Sequence, residues 1–380
     1  MWIKDIELFN FRNYEKERFE FISGINVLYG LNGQGKTNLI EAINYLSTLN
    51  SFRNSKNDDV IKNKENVAVI RSNTSENMNI KISLLKTKKN IIVDNEEVKK
   101  LRDYIGKVNV ISFGSEDIVN FKDSPHERRK FFDIELSKID KNYSTNLIRF
   151  KKMIKQRNEV LKKKSKHIKE YLEVLDKQII EVSKLIYLKR KWFVEKINEL
   201  LNQELYVLTN VNYDSKLILK SDFENLNDSD IKKIFENNLE KDLEKGTTLF
   251  GIHKDDYQIL LDNLDLVDKS SSGQQRITLL AIKMVILKLT EELINKTPIL
   301  ILDDVFSELD EEKKKMLLKR VESVNQIFIT TTSIKELEVI ERECKYFEIK
   351  QGIKVKERMN LNGREWKECK WSYWKRIYRW

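Results

Sequence analysis

Two prolines, two cysteines and eleven glycines in 380 residues leave this chain poor in helix breakers and in cross-links. Cys344 and Cys369, both late in the chain, are too few for a disulfide framework. No apolar run approaches the roughly 18 residues of a membrane span. The longest candidate, Thr278 to Leu289, is cut by Lys283 and Lys288. The opening Met-Trp-Ile-Lys-Asp lacks the basic-then-apolar layout of a signal peptide. The chain therefore reads as soluble and cytosolic, with no membrane partner.

Forty percent apolar residues suffices for a sizeable core, which excludes disorder for most of the chain. At roughly 100–200 residues per domain the length suggests two structural units. The net charge of +10 is unevenly placed. Arg149–Glu170 carries ten Lys/Arg against two acids, and Lys350–Trp380 ten against three, so the rest of the chain is net acidic. Two basic segments on a mildly acidic protein fit local contact with a polyanion; the first fits a solvated helix face equally well.

Positions 1–30 alternate as strands do, ending in Ile25–Tyr29, and an apolar-periodic helix follows from Leu39. Short β-like runs recur at Val67–Ile70, Ile80–Leu85, Ile91–Val93 and Val108–Phe113. From about Ser124 to Leu208 the pattern turns helical, with almost no Gly or Pro after Pro125. There Ile168, Leu172, Leu175, Ile179, Val182 and Ile186 form a short heptad seam. Two helices of about 20 and 35 residues are predicted. Buried-strand signals return at Ile299–Leu302 and Gln326–Thr330.

Between the predicted strand and helix, Gly30, Leu31, Asn32, Gly33, Gln34, Gly35, Lys36 and Thr37 match G-x-x-x-x-G-K-[ST] in full. Glycines let backbone N–H groups converge on phosphate oxygens, and a helix N-terminus adds partial positive charge. Lys36 is expected on the β- and γ-phosphates of ATP, and the Thr37 hydroxyl on Mg2+. Ile299-Leu-Ile-Leu-Asp-Asp304 ends a buried strand in two carboxylates. Asp303 is expected to hold Mg2+, and Asp304 to orient or deprotonate the attacking water.

Ser270-Ser-Ser-Gly-Gln-Gln-Arg276 opens an amphipathic helix upstream of the strand that ends in Asp303. It resembles the signature of ABC-type ATPases, with Ser271, Gly273 and Gln274 matching its Ser, Gly and Gln. That resemblance implies contact with the γ-phosphate held by a second copy, in an ATP-dependent homodimer. Ser307-Glu-Leu-Asp310 resembles the loop that contacts the opposite subunit. The stretch of chain from Lys36 to Asp303 is longer than in a compact transporter ATPase and far shorter than long SMC coiled coils require.

Further stretches are similar to the RecF family of bacterial recombination mediator ATPases: Phe11-Arg-Asn-Tyr14, Gly33–Ala42, Ser51-Phe-Arg53, Ser124–Asp133, Gln156-Arg-Asn158 and Gly251-Ile-His-Lys-Asp-Asp256, with Ile252 replacing the usual Pro. The resemblance spans about residues 1 to 335. It implies an α/β fold: an ABC-type P-loop ATPase head with a mixed sheet and helices (lobe I), and an inserted, mainly helical lobe II. The implied division is 1–123 and 246–350 for the head, 124–245 for the insertion with its short arm, and 351–380 for a basic tail. The implied function is ATP-dependent DNA binding in recombinational repair and replication-fork recovery. DNA, RecO and RecR are the implied partners, and a slow DNA-stimulated ATPase acts as the switch. Arg12 is placed near the nucleotide by analogy. With no His after the last core strand, Thr331 or Thr332 is expected to sense phosphate. His253 with Asp255 and Asp256 suits a structural or ATP-linked role better than a metal site. The tail, Arg364–Trp380, holds four Trp and two Tyr among six Lys/Arg and suits base stacking, a membrane interface, a protein or no fixed partner. The competing reading is the head of a DNA-processing nuclease or another SMC-like ATPase.

Overall fold

The computed structural model describes all residues except 54, 56, 164–167, 338, 339, 341, 362–364 and 369–380. The tail from 369 therefore lies outside the described residues. The chain divides into two compact units, one of Met1–Asp117, Val207–Asn210 and Ile286–Trp380, the other of Ile118–Tyr206 and Val211–Val285.

Along the chain the elements are β1 (Ile3–Phe11), β2 (Tyr14–Glu20), β3 (Ile25–Tyr29), α1 (Lys36–Thr48), α2 (Asn57–Val60), β4 (Val67–Thr74), β5 (Asn79–Leu85), β6 (Lys89–Val93), β7 (Glu96–Glu97), β8 (Val110–Gly114) and α3 (Ser115–Asp123). The second stretch is α4 (Pro125–Ile139), α5 (Lys141–Lys163), α6 (Ile168–Thr209), β9 (Ser215–Lys220), α7 (Asp228–Lys245), β10 (Asp256–Leu261), β11 (Leu264–Asp265), α8 (Leu266–Lys269) and α9 (Ser272–Ile294). The last is β12 (Ile299–Asp303), α10 (Glu311–Arg320), β13 (Ile327–Thr331), β14 (Cys344–Lys350), β15 (Ile353–Leu361) and β16 (Glu365–Glu368).

The first unit holds two sheets. One has the order β2-β1-β4-β5-β6-β7 and the other β16-β15-β14-β3-β13-β12-β8. In the second, β3 pairs parallel with both β13 and β14, and β12 pairs parallel with β13 and β8. Buried apolar side chains from both sheets and from α1 share one core, among them Ile6, Leu8, Leu28, Leu39, Ile43, Ile82, Ile301 and Phe328. The unbroken apolar runs of β12 and β13 follow from their central place in a parallel sheet.

The second unit is mainly helical. α5 and α6 have 23 and 42 residues, both longer than the spacing predicts. Leu172, Leu175, Ile179, Val182 and Ile186 of the predicted seam are buried, and the stripe runs on through Phe193, Ile197 and Leu201. The side chain of Ile168 lies outside the described residues. The compact units meet in sequence at Asp117/Ile118 and Val285/Ile286. β9, from within the insertion, pairs antiparallel with β10 over Asp256↔Lys220 to Leu261↔Ser215. That ladder keeps the chain after 246 with the helical unit as far as Val285.

Candidate nucleotide site

β3 ends at Tyr29 and α1 starts at Lys36, so the glycine-rich segment 30–35 makes the turn between them. Gly30 and Gly35 have φ of +146° and +113°, in the left-handed region that glycine tolerates. Space forbids side chains there as well. A Cβ at Gly30 would lie 2.4 Å from the Ile349 carbonyl oxygen, and one at Gly35 would lie 2.7 Å from Asn13 Nδ2. Lys36 Nζ donates to the carbonyls of Gly30 (2.6 Å) and Leu31 (3.0 Å). Burial lowers its pKa, and the nearby charges of Asp304 and Asp303 oppose that shift.

The carboxylates reach the same place because β12 stands one strand from β3, with β13 between. Asp303 Oδ1 accepts from Thr330 Oγ1 at 2.6 Å and from Thr37 Oγ1 at 3.4 Å. Burial raises the Asp303 pKa against the Thr330 hydrogen bond and the Arg53 charge. Asp304 has φ +57°, a left-handed step that Asp accommodates better than most residues. Its N–H donates to Thr330 Oγ1 at 2.8 Å, while its Oδ1 is buried without a hydrogen-bond partner among the described residues. Unpaired buried carboxylate oxygens are costly, so this one fits a site completed by a ligand.

One cleft gathers Asn32, Gly33, Gly35, Lys36 and Thr37 with Asp303 and Asp304; Asn38, Arg53 and Thr330 complete its wall. Gly30 and Leu31 serve it through the carbonyls that hold Lys36. Arg12 is held by neighbouring protein groups. Its Nε and one terminal nitrogen bond both Glu41 oxygens (2.8 and 2.7 Å), and it also reaches the Asp59 carbonyl (2.6 Å) and Ser55 Oγ (2.7 Å). The arginine on the cleft wall is Arg53, held by Asn38 Oδ1 at 2.9 Å. Thr330 of β13 lines the cleft; Thr331 Oγ1 donates to the Ser333 carbonyl at 3.1 Å, and Thr332 is exposed. In the sequence Arg53 is visible only through the resemblance of Ser51-Phe-Arg53, and Thr330 only as the end of a strand.

In the second unit, Ser271 and Gln274 cap α9 reciprocally: Gln274 N–H donates to Ser271 Oγ (3.2 Å) and Ser271 N–H to Gln274 Oε1 (2.9 Å). This is a capping box, which fixes the helix start. Gly273 has no heavy atom closer than 4.0 Å to the place of its missing Cβ, other than its immediate surroundings in the helix. Gln275, the next residue after Gln274, is buried and donates to three carbonyls, those of Leu266, Val267 and Ser270.

Three of the remaining stretches close on one another inside the second unit. Arg190 of α6, 2% exposed in its side chain, bonds both Asp133 oxygens (3.0 Å each), Asp255 Oδ2 (2.7 Å) and the Ile252 carbonyl (2.8 Å). Arg128 makes a bidentate pair with Asp256 at 2.7 and 2.8 Å. Arg157 pairs with Asp176 and Asp242, at 2.6 Å each, and Asn158 takes the Thr248 N–H at 2.8 Å. Burial lowers the His253 pKa; its Nε2 faces the Thr248 carbonyl at 3.0 Å and its ring lies 6.0 Å from that of Phe150. His253, Asp255 and Asp256 therefore go to three different partners. No group of three or more metal-ligating side chains occurs among the described residues.

The RecF/RecN/SMC N-terminal domain family matches residues 2–355. The DNA replication and repair protein RecF of Clostridium botulinum (strain Loch Maree / Type A3) is 35% identical over 360 residues, covering 93% of this chain and 96% of that relative. RecF of Clostridium kluyveri is 36% identical over 363 residues, covering 93% and 99%. Among solved structures, the recombination mediator protein RecF-ATP in the RecFOR pathway superposes with a TM-score of 0.84 at 33% identity, over 93% of this chain and 98% of that one. Its RecF-ATPrS counterpart gives 0.83 at 33% identity, over 93% and 97%. With a phosphate-loop cleft of this geometry and more than nine-tenths of its length aligned to these relatives, the chain belongs to the RecF family.

Proposed function

We propose that this chain is an ATP-dependent DNA-binding switch of recombinational repair and replication-fork recovery, acting with RecO and RecR to load the recombinase at single-stranded gaps. The observation that carries the reading is the cleft in which Lys36, Thr37, Asp303 and Asp304 converge, in a member of a family whose solved relatives are described with ATP. The residues present fit Mg2+: Thr37 and Asp303 offer hard oxygens 3.4 Å apart. When bound there, Mg2+ would neutralise charge on the phosphates. Lys36 supplies a positive charge on the phosphate side. Asp304, whose free oxygen is buried at the cleft, is the group to orient or deprotonate water. Hydrolysis is then a slow timing step rather than chemistry on DNA, and the cell compartment is the cytoplasm.

Ser271, Gly273 and Gln274 are assigned to the γ-phosphate held by a second copy, across an ATP-dependent homodimer. Light scattering on gapped duplex, with no nucleotide, ADP or ATP, tests this. Wild type is expected to dimerise with ATP alone, Asp304→Asn to hold that dimer without hydrolysis, and Ser271→Arg to bind ATP as a monomer. Monomeric wild type under saturating ATP and DNA would overturn the shared site.

The DNA contact is assigned to the outer face of α5. Arg149, Lys151, Lys152, Lys155, Lys162 and Lys163 are exposed, and no ion pair holds them among the described residues. Arg157, grouped with them by charge alone, points inward instead. Lys164 and Lys166 lie outside the described residues, as does the side chain of Lys169. Replacing Lys151, Lys152, Lys155, Lys162 and Lys163 by Gln is expected to weaken duplex binding and to lower its log–log salt slope by about 0.9 for each phosphate no longer neutralised. An unchanged slope would remove α5 from the DNA-binding surface.

A further inference from the structure

The phosphate loop is held from behind by two hairpin turns that carry no part of its motif. Gln34 turns its carbonyl away from the cleft, where it accepts from the Gly352 N–H at 2.8 Å and from Asn13 Nδ2 at 3.2 Å. Its side-chain Oε1 accepts from the Gln351 N–H at 2.8 Å. The next carbonyl, that of Gly35, accepts from the buried Tyr14 hydroxyl at 2.9 Å as well as from the Leu39 N–H at 3.1 Å. Asn13 and Tyr14 sit at the β1–β2 turn, and Gln351 and Gly352 make the β14–β15 turn. The fit is close: Gly352 has φ +73°, and a Cβ on it would lie 2.5 Å from the Asn13 carbonyl oxygen.

A trans peptide is planar, with its C=O and the following N–H pointing in opposite directions. Fixing the Gln34 carbonyl outward therefore aims the Gly35 N–H inward, and fixing the Gly35 carbonyl aims the Lys36 N–H the same way. N–H groups at the first turn of a helix have no intrahelical acceptor, and successive inward N–H groups form an anion-binding concavity. We infer that Tyr14, Asn13 and the Gln351–Gly352 turn are positioning residues for nucleotide phosphate. They act on the peptide planes at 34–35 and 35–36 without touching the ligand. This rests on the reading of the cleft as an ATP site and adds which residues set its donors before ATP arrives.

The test is a series of binding isotherms with AMP, ADP, ATP and inorganic tripolyphosphate on the full chain. The variants are Tyr14→Phe, which removes one hydroxyl from a buried ring, and Asn13→Ala, at a half-buried turn position whose Oδ1 also accepts from Asn38 Nδ2 at 2.8 Å. A net hydrogen bond is worth about a threefold to tenfold change in affinity. Each variant is expected to lose about that factor for ATP and for tripolyphosphate, with less loss for AMP. Equal losses across the series, or none, would overturn the inference. If wild type itself binds no member of the series, the ATP-site reading fails instead; wild-type binding with unaltered variants removes only the positioning role.

Discussion

Lys36→Met is expected to raise the dissociation constant for ATP at least about 100-fold, a change of about 2.7 kcal/mol. Lys36 draws its nitrogen into the loop, onto the carbonyls of Gly30 and Leu31. Burial disfavours its charge, so the site holds a cation at a cost that a polyanion relieves. Arg53 stands on the same wall but is engaged by Asn38. Charge-assisted bonds to phosphate are roughly twice as strong as neutral ones, which is why one substitution suffices. Methionine keeps the length of the stem, so the fold is expected to stand. Titration calorimetry reads the affinity directly. Thermal unfolding gives a second check, because ligand at about 100 times its dissociation constant stabilises the native state by about 2.7 kcal/mol. Wild type is expected to show that gain and the variant at most about 0.4 kcal/mol of it. A variant that binds ATP as wild type does would refute the role of Lys36.

Arg190→Met is the second large effect, and it falls on stability rather than on nucleotide binding. The guanidinium joins Asp133, Asp255 and the Ile252 carbonyl, with Tyr143 Oη at 3.1 Å from its Nε. Burial works against the cation, but the carboxylates around it dominate and raise its pKa well above the usual value. Removing one partner of a buried ion cluster leaves the others uncompensated, at a cost of about 3–5 kcal/mol. For a unit of this size that lowers the unfolding midpoint by roughly 6–20 °C. The loss is also pH-dependent. Burial lifts the Asp255 carboxyl to about 6 even with Arg190 beside it. A raised native pKa favours the folded state at low pH and loses that advantage as pH rises through it. Without the cation the Asp255 pKa rises further, so the gap between variant and wild type is expected to narrow from pH 8 to pH 5. Scanning calorimetry at several pH values measures both; a gap that widens on acidification would show that Asp255 is not the carboxylate left exposed.

How far the residues themselves foretell this depends on how local each signal is. The β3–loop–α1 unit is legible because its glycines, Lys36 and Thr37 act within one short segment, and because Ile25–Tyr29 is almost wholly apolar. Asp303 and Asp304 are legible from the unbroken aliphatics before them. Arg190 is not, since its neighbours Lys189 and Lys191 read as a solvated face. Only Asp133 and Asp255, 57 and 65 residues away, bring it inside. Arg12 and Arg53 show the same limit at shorter range. One precedes the loop and the other follows it, at similar distances, and both reach the buried Glu41, Arg12 at 2.7 Å and Arg53 at 4.0 Å, while Arg53 lines the cleft. That Asp256–Leu261 stays with the helical unit is hidden for the related reason that β9 finds its partner β10 only beyond α7.

The strand that leads into the phosphate loop has consequences for how the chain is made. β3 is complete at Tyr29, yet both of its neighbours, β13 and β14, begin only at Ile327 and Cys344. At about 5–20 residues per second, the ribosome takes roughly 15–60 s to supply the first of them. Throughout that time β3 has two unpaired edges and an apolar sequence, the condition under which nascent strands recruit the wrong partner. The nucleotide cleft therefore cannot mature before Ile327–Thr331 has been made. A chain cut short before 327 keeps the entire phosphate-loop motif but lacks both strands that pair with β3.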